Sequence, residues 1–304
     1  MPVSLQASLP PIEEKVPLSR LTTVGIGGPA RALARPRTLA QLERALAWAA
    51  ERGLPVVPIG LGSNVLASDE GIEALVVRLE GELATVAVEG ECLLAGGGAA
   101  NAVCLHRARA AGLGGLEFAC AIPGTVGGGV KMNAGAYGSD FAAIVRRAFV
   151  VSPDGGGWLS RQELALSYRR SSLAPGQVVA KVEVELRRSS PEEVKSAIGR
   201  LNAQRKASQP TSARTFGSVF KNPDHDLSAG RMLDLCGLRG CRVGGARISP
   251  VHANFIENVG GARAADALLL MAEARRRALE SFGVVLEREV ELLGLELPPP
   301  GALP

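Results

Sequence analysis

The sequence lacks three features that mark common classes of protein. No apolar run reaches the roughly 18 residues of a membrane-spanning helix, so we expect no membrane association. The five cysteines include no CxxC pair and the three histidines are scattered, so the spacing predicts no metal site. The N-terminus has neither the basic start nor the apolar core of a signal peptide, and we therefore expect a cytoplasmic protein.

Lysine and aromatic residues are also scarce. The 34 basic residues comprise 28 arginines and only 6 lysines, and aromatic side chains make up 4% of the chain. The basic residues are spread along the sequence without interleaved aromatics, which argues against a nucleic-acid partner. Guanidinium groups bind phosphates and carboxylates bidentately, so a small anionic ligand is compatible with the net charge of +4.

Short strand patterns dominate the sequence up to about residue 186. The predicted strands are VVPIG (56–60), ALVVRL (74–79), TVAVEG (85–90), ECLLAGG (91–97), VRRAFVVS (145–152) and QVVAKVEVEL (177–186). Helices are predicted at 38–53, at about 100–111, from the Ser190 capping box to about Lys206, and at about 263–282. A last strand is predicted over VVLEREVELLG, 284–294. So many consecutive strands exclude a doubly wound fold and indicate an α+β protein.

Glycine is abundant, with 37 residues, and three segments are especially rich in it. The first, residues 23–34, satisfies a loose GxGxxA dinucleotide pattern. Pro29 stands where the helix of that motif would begin, so we reject this interpretation. The second cluster, PIGLGSNVL at 58–66, directly follows a predicted strand. Its small residues suit either a pyrophosphate-binding turn or an ordinary tight turn.

The third cluster is AIPGTVGGGVKMNAGAYG, residues 121–138. Six glycines in eighteen residues exceed what a hydrophobic core requires. A backbone strip with so few side chains favours an extended ligand lying against it. Two separated glycine loops on a strand-rich scaffold fit a large dinucleotide such as FAD.

Seven motifs resemble the family of UDP-N-acetylenolpyruvoylglucosamine reductases (the MurB family). In family order they are GLGSNVL, IPGTVGG, MNAGAYG, SYRRS, GSVFKNP, GGARISPVHANFIEN and LEREVELLG. The resemblance extends from about Leu18 to Gly294. Val24 and Ala121 depart from it, because the family usually has Phe and Gly at these positions.

The resemblance implies a fold and a set of domain boundaries. It implies an FAD-binding domain of the vanillyl-alcohol-oxidase (PCMH) type, with one lobe at 1–75 and a second at 76–189. A C-terminal α/β substrate-binding domain would follow at 190–294. The Pro-rich segment 295–304 is predicted to be a disordered tail.

The resemblance also implies a reaction. NADPH would reduce FAD, and the flavin N5 would deliver hydride to C3 of the enolpyruvyl group of UDP-N-acetylglucosamine enolpyruvate. Protonation at C2 would complete UDP-N-acetylmuramate, a peptidoglycan precursor. NADPH and the sugar nucleotide would use one cleft in turn, with ping-pong kinetics. The family expectation is a monomer.

Three residues match the catalytic positions of the family. Ser218 in GSVFKNP matches the proton donor for C2, and a hydroxyl in that role needs an electropositive, preorganised setting. Arg169 in SYRRS matches the arginine that binds the carboxylate and stabilises the enolate. Glu289 matches the family's acidic residue, as an acid or as the group that orients a water or an arginine. Glu287 shares its face of the predicted strand, so alternation alone does not separate the two.

The remaining site residues follow the same motifs. The cofactor-binding positions are Gly60, Gly62, Ser63, Asn64, Ile122, Pro123, Gly124, Thr125, Gly127, Gly128 and Gly135. The substrate-binding positions are Tyr168, Arg214, Lys221, Asn222, His252 and Asn254. For His252, a ligand contact and a packed, hydrogen-bonded ring are equally compatible with the sequence.

The spacing indicates a subtype. Some family members carry an extra loop between the catalytic arginine and serine, with a tyrosine that closes over the substrate. Residues 170–217 contain neither Tyr nor Trp and accommodate one strand and one helix. The chain therefore resembles the type II enzymes that lack this loop, and Arg214 is a candidate replacement anchor.

Two other functions are compatible with parts of the sequence. Another FAD oxidoreductase of the same domain type, such as an oxidase, would keep the glycine loops but vary the C-terminal motifs. A nucleotide-binding or carbohydrate-binding module without catalytic activity would purify without flavin.

Overall fold

The computed structural model describes residues 8–299. The chain forms two compact units. The first comprises residues up to Lys15, Arg31–Leu61 and Glu73–Ala203, and the second comprises Val16–Ala30, Gly62–Ile72 and the chain from Gln204 onward. These units divide the chain differently from the predicted ranges 1–75, 76–189 and 190–294. Two N-terminal segments belong with the C-terminal residues because they pack on the same apolar core, which includes Val24 and Leu66.

In the described residues, runs of short strands separate most of the helices. The helices are α1 Leu39–Ala50, α2 Asn101–Ala110, α3 Val126–Met132, α4 Arg161–Leu164, α5 Pro191–Ser208, α6 Ala229–Leu235 and α7 Ala264–Phe282. The strands are β1 Ile12–Pro17, β2 Pro29–Ala34, β3 Val56–Pro58, β4 Val65–Ala67, β5 Ile72–Val77, β6 Val86–Glu89, β7 Cys92–Gly96, β8 Leu113–Gly114, β9 Gly135–Ala136, β10 Ser139–Asp140, β11 Val145–Ser152, β12 Gly155–Ser160, β13 Val178–Glu185, β14 Arg187–Arg188, β15 Thr215–Ser218, β16 Arg242–Val243, β17 Ala246–Ile248, β18 Phe255–Asn258 and β19 Glu291–Leu293.

The first unit is built around a five-stranded sheet in the order β12-β11-β13-β7-β6. Each neighbouring pair in this sheet is antiparallel. Alternating residues of β13, such as Val182 and Val184, are buried against α2 and α3 in one core. An antiparallel sheet that packs against helices is an α+β feature, as the run of strand patterns predicts.

A second sheet has the order β1-β2-β5-β3, and its β3 and β5 are parallel. Helix α1 packs Leu42 and Leu46 into the core of this region. The helix begins as predicted, because the Thr38 hydroxyl accepts a hydrogen bond from the Gln41 N–H. Pro29 begins strand β2 and not a helix, which agrees with the rejection of the dinucleotide motif at 23–34.

The second unit combines an antiparallel sheet, β15-β18-β17-β16, with the helices α6 and α7. Phe216 and Met271 are fully buried in its core. A separate parallel pair joins β19 to β4, and Glu291 lies opposite Val65 in its register. This pairing connects residues at opposite ends of the sequence.

Two predictions near the C-terminus are wrong. The strand predicted over 284–294 is reduced to β19, because residues 287–290 make isolated bonds to the segment after β15 in place of a continuous ladder. Residues 295–299 of the predicted disordered tail are ordered. Leu295 and Leu297 pack on the core, and the Arg275 guanidinium donates to the Pro298 carbonyl at 2.8 Å. The rest of the tail, 300–304, lies outside the described residues.

Within residues 8–299, none of the helices has the length and apolar character needed to cross a lipid bilayer.

Candidate active site

Ser218 ends strand β15 in the second unit. It lies opposite Phe255 of β18, and the register shifts between Thr215 and Ser218, so this short strand is irregular. Irregular strand ends are a common way to direct a side chain away from the ladder. The following residue, Val219, donates its N–H to the carbonyl of Asn254, the residue before β18, at 2.9 Å.

Glu289 lies beside this serine segment. Its N–H donates to the carbonyl of Val219, the residue after Ser218, at 2.8 Å. Glu289 is half-buried, whereas Glu287 is exposed and its carboxylate pairs with the Lys221 ammonium at 3.2 Å. The structure thus separates two carboxylates that alternation in the sequence could not distinguish, and it places Glu289 next to Ser218.

The loop at 62–64 meets both of these segments within the second unit. A Cβ atom added to Gly217 would lie 3.3 Å from the Ser63 carbonyl oxygen, so the residue before Ser218 packs against this loop. The Asn64 side-chain amide donates to the Glu289 carbonyl at 3.0 Å. The predicted cofactor loop and two predicted catalytic residues therefore come together, although they lie far apart in the sequence.

Thr23 fixes the same loop from the other side. Its N–H donates to the Gly62 carbonyl at 3.1 Å, and its hydroxyl donates to the Thr215 carbonyl at 2.6 Å. Thr23 belongs to the first glycine cluster, to which the sequence assigned no function. Its position between the loop and strand β15 gives this cluster a structural role.

Arg169 lies in the first unit on a two-residue turn. Ser167 and Arg170 close the turn with reciprocal backbone hydrogen bonds of 3.1 and 3.0 Å. Arg169 has φ of +53°, a conformation that costs a non-glycine residue energy and often marks a functional site. Its guanidinium donates to the Gly135 carbonyl at 2.9 Å and lies 5.0 Å from the centroid of the exposed Tyr168 ring.

Asn133 supports this turn and was not among the predicted site residues. It is 1% exposed and occupies the left-handed position that ends α3. Its amide nitrogen donates to the Ser167 carbonyl at 2.9 Å and to the Asp140 carboxylate at 3.1 Å, and its oxygen accepts from the Ala142 N–H at 2.8 Å. The motif MNAGAYG contains this asparagine, but only the structure shows that it joins hairpin β9–β10 to the arginine turn.

The loop that contains Gly60 lies against Thr125, near the start of the glycine-rich segment 121–138. A Cβ added to Gly60 would come within 2.5 Å of the Thr125 Oγ1, so only glycine permits this approach. An added Cβ at Gly127 would lie 2.8 Å from the Gly97 carbonyl oxygen, so packing within the protein by itself requires glycine at this position. Gly128 is exposed, and an added Cβ would make an ordinary contact, 3.6 Å from the Thr125 Oγ1.

The glycine loop 122–128 fits FAD on two observations. Asn101 is buried and holds the loop, since its N–H donates to the Gly124 carbonyl and its amide to the Ile122 carbonyl. Its Oδ1 is buried and has no hydrogen-bond partner, and a bound ligand or an ordered water commonly satisfies such an atom. Pro123 and Gly128 are the exposed residues of this segment, and Thr125, Val126 and Gly127 between them are buried.

Several predicted substrate-binding residues hold the protein together. Both ends of the Asn254 amide bond the backbone of Phe220, at 2.9 and 2.8 Å, and Asn254 is 4% exposed. The side-chain Oδ1 of Asn222 accepts a hydrogen bond from the Ala229 N–H at 3.1 Å. Arg214 is exposed, and its backbone carbonyl accepts from Asn258.

His252 is a packed, hydrogen-bonded ring. Its Nδ1 accepts from the Asn254 N–H at 3.2 Å, and the ring lies edge-on to Phe255 with centroids 5.0 Å apart. Burial is the main reason that the pKa of His252 lies below its usual value, and the Arg239 charge adds to this effect. The ring is therefore held neutral, which suits a structural acceptor.

The two cysteines with resolved pKa shifts are poor nucleophiles. Burial raises the pKa of Cys104 to about 12 and that of Cys92 to about 11. Both thiols stay protonated at neutral pH. Between residues 8 and 299, no group of three or more His, Cys, Asp and Glu side chains is placed to hold a metal ion.

A cavity of about 500 Å³ lies in the first unit beneath hairpin β9–β10. Tyr137 and Arg187 line it, together with Glu117, whose carboxylate accepts from the Gly115 N–H at 2.7 Å. It includes none of the predicted site residues. The predicted site is thus held by backbone and amide hydrogen bonds and does not coincide with this cavity.

Comparison with known proteins agrees with the FAD-binding role predicted for the glycine loops. Residues 30–157 match the FAD binding domain family. Residues 209–293 match the family described as UDP-N-acetylenolpyruvoylglucosamine reductase, C-terminal domain. The fold and these two matches define a flavoprotein oxidoreductase with an FAD-binding domain followed by a specialised C-terminal domain.

Relatives cover nearly the whole chain. It is 45% identical to UDP-N-acetylenolpyruvoylglucosamine reductase 2 of Symbiobacterium thermophilum, over 93% of this chain and 92% of that protein. It is 42% identical to the reductase of Rubrobacter xylanophilus, over 96% and 98%. The crystal structure of the Thermus caldophilus enzyme superposes with a TM-score of 0.82 at 38% identity, covering 93% of this chain and 99% of that one. The chain belongs to the UDP-N-acetylenolpyruvoylglucosamine reductase family.

These matches confirm the predicted family, the α+β fold with a PCMH-type FAD domain, FAD as cofactor, and the class of FAD-dependent oxidoreductase. They favour this family over an oxidase of the same domain type, because the C-terminal residues match as well. The domain boundaries and the roles of individual site residues stay predictions.

Proposed function

We propose that the protein catalyses the NADPH-dependent reduction of the enolpyruvyl group of UDP-N-acetylglucosamine enolpyruvate, giving UDP-N-acetylmuramate. One observation carries the proposal beyond family membership. The Glu289 N–H donates to the carbonyl of Val219, the residue after the predicted proton donor Ser218, at 2.8 Å. This backbone bond supports the proposal, because a hydroxyl and a carboxyl on neighbouring segments would suit a proton-transfer step.

When bound, FAD would supply the hydride chemistry between NADPH and C3 of the enolpyruvyl group. The residues proposed to hold it are those of the loop 60–63 and the loop 122–128. Both offer backbone with small side chains, and Gly60 and Thr125 pack against each other. This arrangement leaves room for a flat, extended cofactor.

Arg169 is proposed to bind the substrate carboxylate. A guanidinium can donate two parallel hydrogen bonds to a carboxylate, and it stabilises the negative charge that grows there as an enolate forms. The turn holds Arg169 in one backbone conformation. The Asn133 amide supports the turn by donating to the Ser167 carbonyl, and the Gly135 carbonyl accepts from the Arg169 guanidinium. Less ordering is then needed when substrate binds.

Ser218 is proposed to donate a proton to C2, and Glu289 to assist it. An aliphatic hydroxyl is a weak acid, so it requires neighbours that stabilise its conjugate base or replace its proton. Glu289 can act directly as an acid, or it can orient a water or an arginine toward the serine. Lys221, whose N–H bonds the Glu287 carbonyl, is a proposed anchor for the diphosphate.

The same proposal covers the order of events and the setting. NADPH would bind the cleft while the flavin is oxidised, and the sugar nucleotide would bind the same cleft once the flavin is reduced. The chain would work as a cytoplasmic monomer of the type II kind, with Arg214 a candidate substitute for the missing tyrosine loop. Neither a nucleic acid nor a membrane is a proposed partner.

The experiment that tests this function is an assay of the purified protein. We expect a yellow preparation whose flavin is bleached by NADPH under anaerobic conditions and restored by the enolpyruvyl sugar nucleotide. A short-chain alcohol as alternative electron donor distinguishes the oxidase alternative. A colourless protein that does not take up FAD would contradict the proposal, as would flavin reduction by the alcohol alone.

A further inference from the structure

Glu289 is fixed on both sides of its backbone by segments remote in sequence. Its N–H donates to the Val219 carbonyl at 2.8 Å. Its carbonyl accepts from the Asn64 side-chain amide at 3.0 Å, a contact across 225 residues of chain. With both backbone groups held, these two hydrogen bonds fix the position of the backbone from which the Glu289 side chain extends.

Asn64 takes part in a second bond to the same segment. The Glu291 N–H donates to the Asn64 carbonyl at 3.0 Å, where the parallel pairing of β19 with β4 begins. The backbone N–H of Asn64 does not continue this pairing to the Glu289 carbonyl. The side-chain amide of Asn64 donates to that carbonyl instead, so the parallel pairing extends by one residue.

We propose that Asn64 is a positioning residue for Glu289. The GLGSNVL motif assigned it to cofactor binding, whereas its side chain is engaged with the backbone of the acidic residue. The inference rests on the proposed role of Glu289 in reoxidation of the flavin by the sugar nucleotide. It makes the loop 62–64 a link between the cofactor and the proton-transfer residues.

The test uses the FAD-loaded full-length protein and a double-mutant cycle. Asn64→Asp keeps the size of the side chain but removes the donor, and Asn64→Ser serves if the aspartate variant does not fold. We expect flavin content and NADPH reduction to change less than about twofold. Reoxidation by the enolpyruvyl sugar nucleotide should slow by about tenfold or more, since small errors of placement are costly in a catalytic step.

The decisive comparison is with Glu289→Gln. If Asn64 acts through Glu289, the double variant should be no slower than Glu289→Gln alone. The matched control is Asn258→Asp, which loses a similar amide bond, to the Val24 carbonyl at 2.9 Å, in the same unit. Its effect, large or small, should multiply with that of Glu289→Gln.

Each other outcome has a definite meaning. A double variant slowed by the product of the two single effects would overturn the positioning role. An Asn64→Asp protein that loses FAD would also overturn it and would restore the cofactor-binding assignment. Normal reoxidation by Glu289→Gln alone would refute the proposed role of Glu289 itself, and with it the basis of this inference.

Discussion

The Arg169 turn and the Ser218–Glu289 region hold their proposed catalytic residues in different ways. Around Arg169 the supporting contacts are local, with Gly135 and Asn133 each bonding the turn across 34 residues of chain. Around Ser218 and Glu289 they are remote, with separations of 192 residues for Thr23 and 225 for Asn64. The first region can form early from neighbouring elements, whereas the second requires the two ends of the sequence to be brought together.

This difference shows where each region is vulnerable. The arginine turn depends on a buried amide and on a backbone conformation unusual for a non-glycine residue. The serine region depends on the alignment of four remote chain segments by a small number of hydrogen bonds. Substitutions in the two regions should therefore fail differently, and the following predictions run from the largest expected effect to the smallest.

The first prediction concerns the arginine itself. Arg169→Ala should lower kcat by about 10²–10³, the usual cost of losing a group that stabilises developing negative charge. Arg169→Lys should recover only part of this, because an ammonium lacks the planar pair of donors. Steady-state kinetics measure both. Arg170→Ala is the matched control, since Arg170 is exposed, and an equal loss in that variant would refute the assignment of Arg169.

The second prediction separates the two carboxylates of the serine region. Glu289→Gln should slow turnover by at least about tenfold. Glu287→Gln removes only an exposed pair with Lys221 and should change turnover by less than about twofold. Turnover rates at saturating substrate test this. If the two variants lose activity equally, the role given to Glu289 is wrong.

The third prediction concerns Asn133, the local support of the arginine turn. Asn133→Gly keeps the left-handed backbone but removes three hydrogen bonds, so the free energy of unfolding should fall by about 1–3 kcal/mol. Activity should fall with it, since the turn at 167–170 loses an anchor. Urea unfolding and steady-state kinetics report the two effects. Asp140→Ala leaves the Ser167 bond intact, and a larger loss of activity there would contradict this account.

The fourth prediction uses the pH dependence of stability. Folding lowers the pKa of His252. Between this lowered pKa and the usual value of 6.5, the unfolded state therefore binds more protons than the folded state. Stability therefore falls as the pH drops from above 6.5 toward the folded pKa. The ring is partly open to solvent, which limits the effect to less than about 1 kcal/mol.

His252→Asn removes the titration and keeps an acceptor near Nδ1. The difference in unfolding free energy between pH 7.5 and pH 5.5 should shrink in this variant. His225→Asn is the control, because His225 is exposed. An unchanged pH dependence in His252→Asn would show that other groups carry it.

The sequence predicted most of the fold where local pattern determines it. Helix α1 and the strands of the five-stranded sheet with clear apolar runs lie close to their predicted positions. Strand β12 was missed because its start is Gly155–Gly157, and glycine has low strand propensity. The strand at 284–294 was overpredicted because alternation was read without knowledge of its partner, and only β19 has a continuous one.

The site was predictable as a set of motifs but not as a set of contacts. Family motifs led to Ser218, Arg169 and Glu289. They could not reveal that Asn64 bonds the Glu289 backbone, because that contact depends on the register of β19 against β4. Asn133 was hidden for a similar reason, since an asparagine in a glycine-rich segment resembles any turn residue until its three partners are known.

The measurement that tests the central claim most directly is stopped-flow analysis of Ser218→Ala. If Ser218 donates the proton to C2, this variant should bind FAD and be reduced by NADPH at a nearly normal rate. Reoxidation by the enolpyruvyl sugar nucleotide should slow by about 10²–10⁴, the usual contribution of a general acid. Equal slowing of both half-reactions would point to a structural role for the serine, and normal reoxidation would contradict the proposed proton transfer.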